Sequence, residues 1–220
     1  MIGVLLIATG KYDVFVQPLI QSLKRHFLPG YQVKTILWTD KETQADLCLH
    51  HKHEPWPAPT LNRYKTILSQ RELLEQFDYL FYMDVDMLAV DTIGDEILGD
   101  LVAVQHPGFI GKVGTPERRS RSAAYIPRRE KSVYYAGGFQ GGRSRRYLDM
   151  CHTLHNQIES DRQKGITAIW HDESHLNHYL HYNKPGKVLS PSYCYPESWE
   201  MPYVKRLVAL DKDHAEMRCG

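Results

Sequence analysis

Hydrophobic positions along the chain form short continuous runs that alternate with stripes of helical spacing. The continuous runs, which are typical of strands buried on both faces, cover residues 4–8, 33–39, 79–83 and 101–104. Apolar residues that recur at intervals of three and four predict helices over residues 13–30, 61–75, 147–165 and 172–182. Residues 46–59, with three histidines and three prolines, are predicted to form a loop. This alternation predicts an α/β fold with a mainly parallel sheet, in which ligands collect at the carboxyl ends of strands.

Composition and charge narrow the function classes. The 220 residues have the length of one large domain or two small ones, and 42% hydrophobic with 24% charged residues is typical of a globular protein. A net charge of +1 excludes binding to nucleic acid or anionic membranes driven by bulk charge. No apolar run reaches the roughly 18 residues of a membrane span. The four cysteines are scattered without a CxxC pair, so a reducing, cytoplasmic location is expected.

Two aspartates follow the third predicted strand directly, in the sequence Asp84-Val85-Asp86. In extended backbone, residues i and i+2 point to the same side, so both carboxylates can reach one cation. Hard oxygen ligands of this kind suit Mg²⁺ or Mn²⁺, with a substrate diphosphate completing the coordination. A capped strand end is the alternative, because chance gives about one Asp-x-Asp in a chain of this composition. The second such triplet, at residues 211–213, follows no strand and is interpreted as solvated surface.

Four of the 15 glycines lie within residues 137–142. Glycine permits close approach of the backbone to a ligand, so the segment 134–142 is predicted to be a turn that either serves a ligand or is purely structural. Its spacing matches neither the dinucleotide-binding fingerprint nor the phosphate-binding P-loop, which argues against both classes of nucleotide site.

The last predicted helix opens with Trp170, Asp172 and Glu173. Carboxylates in the first turn stabilise a helix N-terminus, and this is the simpler interpretation of the two acids. The other interpretation is that one of them is catalytic, beside a tryptophan ring that can stack on a sugar. The sequence pattern alone leaves both open.

Two further clusters have weaker functional interpretations. His171, His175 and His178 share one helical face, as metal-binding histidines do, but without the H-E-x-x-H spacing, so a zinc hydrolase is a less favoured alternative. Basic residues are dense between Arg118 and Arg146, without the interleaved aromatics of RNA-binding motifs. A solvated face, or a loop near an anionic ligand such as a diphosphate, is the better interpretation of the basic segment.

Six segments of the chain together carry a resemblance. They read D-Y-L-x-x-x-D-V-D-M at 78–87, H-P-G-F at 106–109, A-Y-I-P at 124–127, Y-Y-x-G-G-F-x-G-G at 134–142, W-H-D-E-S-H-L-N at 170–177 and K-V-L-S-P at 187–191. In this order they resemble glycosyltransferase family 6, the family of the ABO blood-group enzymes and the α-1,3-galactosyltransferases. The similarity spans nearly the whole chain.

The resemblance implies a single GT-A domain over residues 1–220. Its nucleotide-binding part would cover about 1–105, its acceptor-binding part about 106–205 and a C-terminal lid about 206–220. The implied reaction is a retaining α-1,3 transfer of GalNAc or Gal from UDP-GalNAc or UDP-Gal to the 3-hydroxyl of a β-galactoside glycan, which can carry fucose. Mn²⁺ (or Mg²⁺) on Asp84 and Asp86 would hold the diphosphate of UDP.

The resemblance also implies, position by position, which residues form the site. Donor-binding positions are Ile7, Ala8, Tyr12, Arg63, Asp84, Val85, Asp86, Ala136, Gly137, Gly138, Asp172, Lys212 and Arg218. Acceptor-binding positions are His106, Thr115, Trp170 and Glu173. Glu173 is the implied catalytic residue, either as the nucleophile of a covalent glycosyl intermediate or as the stabiliser of an oxocarbenium-like species. Lys212 and Arg218, with the arginine-rich loop, would close over the diphosphate.

Several departures refine these expectations. Gly138 resembles the GalNAc-using members, whereas Ala136 is smaller than its counterpart in the animal enzymes. Pro196 stands where an acidic acceptor contact is expected, with Glu197 adjacent. The missing anchor and the retained Asp-Val-Asp suggest a metal-dependent enzyme of a bacterial or phage-infected cell. A sugar- or nucleotide-binding module without turnover is the alternative, but its expected loss of acidic residues is not seen.

Overall fold

The computed structural model of the protein describes residues 1–130 and 133–218. In chain order its strands are β1 (Ile2–Ala8), β2 (Val33–Thr39), β3 (Leu47–His50), β4 (Tyr79–Met83), β5 (Met87–Ala89), β6 (Leu101–Gln105), β7 (Tyr135–Arg143), β8 (Lys187–Leu189), β9 (Tyr195–Pro196) and β10 (Leu207–Ala209). Its α-helices are α1 (Val16–His26), α2 (Ala58–Leu61), α3 (Arg63–Leu68), α4 (Arg71–Leu74), α5 (Ser144–Gln163), α6 (His171–Tyr182) and α7 (His214–Arg218).

A seven-stranded sheet of order β3-β2-β1-β4-β7-β6-β8 forms the centre of the protein. Its strand pairs are parallel except for the two that involve β7, which runs antiparallel to both β4 and β6. A smaller sheet of order β5-β10-β9 ties the C-terminal segment to the strand that follows Asp86. The arrangement confirms the predicted α/β fold with a mainly parallel sheet and is consistent with the GT-A fold.

Alternate residues of β1 bury against opposite layers, which explains its continuous apolar run. Val4 and Leu6 belong to the core that α1 covers with Leu19 and Leu23. Leu5 belongs to the core formed with α3, α5 and α6 on the other face. Because both faces of the strand are covered, no polar position interrupts the run.

The predicted first helix divides into two elements. A 3-10 helix spans Gly10–Phe15, and α1 begins at Val16 without a side-chain cap, so Asp13, where the sequence predicts the helix to begin, lies in the 3-10 helix and does not cap α1. The helix ends at His26, and Gly30 follows in a turn with φ of +91°. The predicted helix over 61–75 is likewise three short helices, α2 to α4, because turns near Asn62 and Gln70 interrupt it.

Two further predictions of secondary structure are wrong, because segments predicted to be a loop and a turn form strands. Residues 47–50, expected as loop, form the edge strand β3 beside β2; the strand has only four residues, and their side chains are half-buried or exposed. The glycine-rich segment expected as a turn is the nine-residue strand β7 in the middle of the sheet. Here glycine serves close packing: a Cβ at Gly141 would lie 2.3 Å from the carbonyl oxygen of Leu80 and 2.5 Å from the ring of Phe81.

Over the residues that the structure describes, none of the helices combines the length and the apolar character that a membrane crossing requires.

We expect Gly141→Ala to lower the free energy of unfolding by about 3 kcal/mol or more, because the strand would have to move away from β4. Gly186→Ala is the matched control, since its nearest neighbours lie 4.0 Å from the added carbon. Urea denaturation followed by circular dichroism measures both, and equal stability of the two variants would contradict the close packing of β7.

Candidate active site

The acidic pair lies in the turn between β4 and β5 rather than in extended backbone. Both carboxylates nevertheless reach the same place, because Asp84, Val85 and Asp86 all line one cavity of about 220 Å³. The side chain of Asp84 is 39% exposed and that of Asp86 only 9%. The main chain of the turn is anchored on both sides, by Asp84 N–H to the carbonyl of Gly138 at 2.8 Å and by Leu210 N–H to the carbonyl of Asp86 at 2.9 Å.

The cavity opens at the carboxyl ends of β1 and β4, where ligands of open α/β sheets bind. Of the expected donor-binding positions, Ile7 and Tyr12 line it, together with Arg63 and Lys212. Ala8 instead packs into the core with 1% exposure, so only its main chain is available to a ligand at this edge.

Arg63 lies beneath the acidic pair as a buried cation. One of its nitrogens lies 3.1 Å from Asp84 Oδ1 and another lies 3.0 Å from Asp172 Oδ2. It also donates to the carbonyl of Gly137 at 3.1 Å and covers the ring of Tyr82 at 4.3 Å. Burial lowers the pKa of the guanidinium, but the charges of Asp172 and Asp84 outweigh it and raise that pKa, so the cation is retained.

The helix that carries Asp172 and Glu173 begins under backbone strain. His171, its first residue, has φ of +50°, a left-handed conformation that only glycine adopts easily. Burial raises the pKa of Asp172 to about 6, against the opposing charge of Arg63. Burial also raises the pKa of Glu173 to about 7, against the hydrogen bond from the Gly137 amide to Glu173 Oε2 at 2.9 Å. Strain and perturbed carboxyls at one helix start are typical of functional sites.

The expected donor positions Ala136, Gly137 and Gly138 lie in β7, between the two groups of acids. A Cβ at Gly137 would lie 3.4 Å from Glu173, whereas one at Gly138 would lie 3.1 Å from Asp84 Oδ2. Neighbouring residues of this strand therefore face different carboxylates, as the alternation of a strand requires.

The other three expected acceptor positions, His106, Thr115 and Trp170, are connected to Glu173 through Tyr134. Trp170 donates its indole N–H to the Thr115 hydroxyl at 2.6 Å, and its side chain is exposed. The ring of His106 lies 5.6 Å from that of Tyr134, and burial lowers the pKa of this imidazole. Tyr134 is buried beside Glu173, and burial together with that carboxylate raises the pKa of its phenol. The structure thus groups these residues around the catalytic candidate.

The C-terminal segment covers the acidic pair, which the resemblance leads us to expect of a lid. The ammonium group of Lys212 contacts the carboxylate of Asp86, and Lys11 donates to the main chain of Glu216 at 3.0 Å. Asp213 caps the short helix α7 by accepting from the N–H of Ala215 at 2.8 Å. Arg218 is the expected second basic residue, but its side chain lies outside the described part of the protein.

The arginine-rich segment does not converge on the cavity as a whole. Arg143 pairs with Tyr79 at the amino end of β4, whereas the acidic pair follows its carboxyl end. Arg118 donates to the carbonyls of Ile126 and Pro127 at 2.6 Å and thereby braces its own loop. These two arginines therefore contact other parts of the protein in this structure, and the closure of the arginine-rich loop over a diphosphate stays a prediction.

The three histidines of α6 have separate partners. His178 bonds the carbonyl of Tyr125 at 2.9 Å, and the ring of His171 lies 5.0 Å from that of Trp56. His175 is buried near Asp161, and burial lowers its pKa to about 4. Over residues 1–130 and 133–218, no group of three or more metal-ligating side chains is present. The face therefore offers no zinc site there.

Sequence reasoning missed one wall of the cavity. Its residues follow the edge strand β3 or begin α2, and they are His53, Glu54, Trp56, Pro59 and Thr60. His53 is fixed by a 2.9 Å hydrogen bond to the Thr9 hydroxyl. Recognition of β3 as a strand would have identified them, because the segment then leaves a strand at its carboxyl end.

Glu197, next to the substituted acceptor position Pro196, bonds to the C-terminal segment. Its carboxylate accepts from the N–H of Asp211 at 2.9 Å, and its own N–H donates to the carbonyl of Ala209 at the same distance. The residue fixes the C-terminal segment and does not replace the expected acidic contact.

Comparison with known proteins identifies the family of this chain. The profile of Glycosyltransferase family 6 matches residues 1–219. Histo-blood group ABO system transferase 1 of Rattus norvegicus is 37% identical over 99% of this chain and 68% of its own length. Globoside alpha-1,3-N-acetylgalactosaminyltransferase 1 of Homo sapiens is 35% identical over 99% of this chain and 68% of its own length. O-antigen biosynthesis glycosyltransferase WbnI of Escherichia coli is 28% identical over 97% of this chain and 95% of its own length. This chain therefore belongs to glycosyltransferase family 6 and is a glycosyltransferase.

Proposed function

We propose that the protein transfers GalNAc, in preference to Gal, from its UDP-sugar to the 3-hydroxyl of a β-galactoside with retention at the anomeric carbon. The observation that carries the proposal is the contact of Glu173, at the start of α6, with β7. Its carboxylate accepts a hydrogen bond from the amide of Gly137 in β7. The carboxylate of Asp84 lies beside the next residue of the same strand, Gly138. A donor held by the acidic pair would thus present its sugar beside Glu173. The relatives named above include an α-1,3-N-acetylgalactosaminyltransferase, which supports the linkage and the sugar.

The acidic pair fits a divalent cation. Asp84 Oδ1 accepts from the Tyr82 hydroxyl at 2.8 Å and faces Arg63, and its other oxygen, Oδ2, lies toward Gly138. Asp86 already holds a cation, the ammonium group of Lys212. Oxygen ligands of this type suit Mn²⁺ or Mg²⁺, which when bound would neutralise the diphosphate.

The chain itself supplies the rest of the leaving-group stabilisation. Lys212 contacts Asp86, next to the place proposed for the diphosphate. Its ammonium group can therefore stabilise the negative charge that develops on UDP as the bond to the sugar breaks. Arg63 keeps its charge between Asp84 and Asp172 and orients both carboxylates. The docked C-terminal segment excludes water from the cavity, which limits hydrolysis of the donor.

Glu173 would act as a carboxylate beneath the anomeric carbon. The Gly137 amide fixes one of its oxygens, so its position depends on the main chain of β7. In this position it either bonds the anomeric carbon as the bond to UDP breaks, and is then displaced by the acceptor 3-hydroxyl oxygen, or it stabilises positive charge at that carbon while UDP departs. Trp170 and His106 would hold the acceptor galactose on the open side.

The direct test incubates the protein with UDP-GalNAc or UDP-Gal, a fucosylated galactoside and Mn²⁺, followed by mass spectrometry for trisaccharide and UDP. We expect product with both donors and faster turnover with UDP-GalNAc. If the protein binds UDP but gives neither product nor donor hydrolysis, the result would support a binding module without turnover and contradict the proposed transferase activity.

Asp86→Asn should lower kcat/KM at least about 100-fold, because one anionic ligand of the cation is lost. EDTA should abolish wild-type activity, and added Mn²⁺ should restore it. Asp211→Asn is the matched control, since it belongs to the second Asp-x-Asp of the chain and its side chain is exposed. Full activity in EDTA would overturn the metal assignment without affecting the assignment of the transferase.

The pH profile should report the burial of Glu173. Because the raised pKa is about 7, the carboxylate form is lost as the pH falls below 7, and Asp172 with a pKa of about 6 steepens the loss. We expect kcat/KM to decrease about tenfold per pH unit just below pH 7 and more steeply below pH 6, where the second carboxyl is also protonated. UDP binding by calorimetry over the same range is the control, and a flat rate profile from pH 5 to 8 would contradict a catalytic carboxylate.

Gly138→Ala should shift the donor preference toward UDP-Gal. The added methyl would lie 3.1 Å from Asp84 and 3.5 Å from Cys194, in the space that an N-acetyl group would need. We expect the GalNAc-to-Gal ratio of kcat/KM to fall about tenfold, as one misplaced methyl costs about 1–3 kcal/mol. Competition between the two donors in one reaction measures the ratio, and an unchanged ratio would contradict the assigned role of Gly138.

A further inference from the structure

Trp199 is a large exposed aromatic residue that no part of the proposed site uses. Of the four tryptophans, Trp38 is buried in the core, Trp56 lines the donor cavity and Trp170 bonds Thr115. Trp199 is 45% exposed, close to the 49% of Trp170. An exposed indole leaves much apolar surface in water, and such surface beside a ligand site commonly covers part of a ligand.

The indole of Trp199 lies against the acceptor side of the site. A Cβ at Gly108 would lie 3.6 Å from Trp199 Cη2 and 3.5 Å from the imidazole of His106, so both rings border the space above this glycine. The ring of His106 in turn lies 5.6 Å from that of Tyr134, which is buried beside Glu173. Trp199 therefore extends the acceptor surface outward, two ring contacts away from the catalytic candidate.

The segment that carries Trp199, residues 197–206 between β9 and β10, is well braced. Trp199 donates its main-chain N–H to the carbonyl of Pro196 at 3.2 Å. The Tyr195 hydroxyl accepts from the N–H of Met201 at 2.7 Å, and the ammonium group of Lys205 covers the ring of Tyr195 at 4.9 Å. A side chain on such a support can offer a fixed ring face to a ligand at little entropic cost.

We infer that Trp199 binds the sugar unit attached to the reducing side of the acceptor galactose, a specificity that rests on the proposed function. The apolar face of a pyranose ring matches an aromatic surface, and an exposed indole provides one. In galactose, the substituent at carbon 1 is two ring positions from the reacting 3-hydroxyl, whereas a branch at carbon 2 is adjacent to it. The distance of Trp199 from Glu173, with two rings between them, therefore favours the unit at carbon 1.

The test compares Trp199→Ala with the wild type on lactose and on methyl β-galactoside, with UDP-GalNAc, UDP-Gal and Mn²⁺. We expect the variant to lose about tenfold in kcat/KM on lactose, mainly through KM, and to keep its rate on the methyl galactoside. Trp199→Phe should recover most of the loss. Calorimetric titration of the UDP–Mn²⁺ form with each sugar should show the same difference in affinity.

Two controls distinguish sugar binding by Trp199 from a general loss of structure or of donor binding. Tyr31→Ala removes an aromatic ring of similar exposure at the amino end of β2, and it should change the rate on neither acceptor. Donor hydrolysis without acceptor should be equal in Trp199→Ala and the wild type. Equal losses on both sugars, or no loss on either, would overturn the inference. With a 2-fucosylated galactoside as a third acceptor, a loss confined to that sugar would also overturn it. If no sugar supports transfer, the proposed function fails, while the titration with lactose still decides whether Trp199 binds the second sugar.

Discussion

The buried ion pairs of Arg63 hold the acidic side chains that follow β4 and those that begin α6 in one site. The guanidinium lies within 3.1 Å of Asp84 after β4 and of Asp172 at the start of α6. Removal of the cation would leave Asp172 buried without a partner, and an uncompensated buried charge is strongly destabilising. The same residue bonds the carbonyl of Gly137, so strand, helix and turn are fixed by one side chain. The geometry of the site therefore depends on this one cation.

Charge separation around the cavity explains how a nearly neutral chain can bind an anionic donor. Acidic side chains gather at the turn after β4 and at the start of α6, while Lys212 arrives from the C-terminal segment. The net charge of +1 does not show this separation, because the acidic and the basic side chains cancel in the total. Local placement, not total charge, sets the electrostatics of the site.

Much of the fold could be predicted from the sequence, since β2 and β4 begin and end where their apolar runs do. The acidic pair could be placed because it follows such a run. The strand β7 could not, because its glycines pack through contacts with β4 that are distant in sequence. Residues such as Arg63 and Trp199 carry no local signal either, since their importance arises from neighbours that only the folded chain provides.

Two neighbouring residues of β7 differ in how far their contacts depend on the identity of the residue. The main chain of Gly137 holds Glu173, and a main-chain amide is present whichever residue occupies that position, proline excepted. A side chain at position 138 would instead face Asp84 and Cys194. Under the proposed function, a single substitution at position 138 would therefore alter the choice of donor sugar without moving the carboxylate of Glu173.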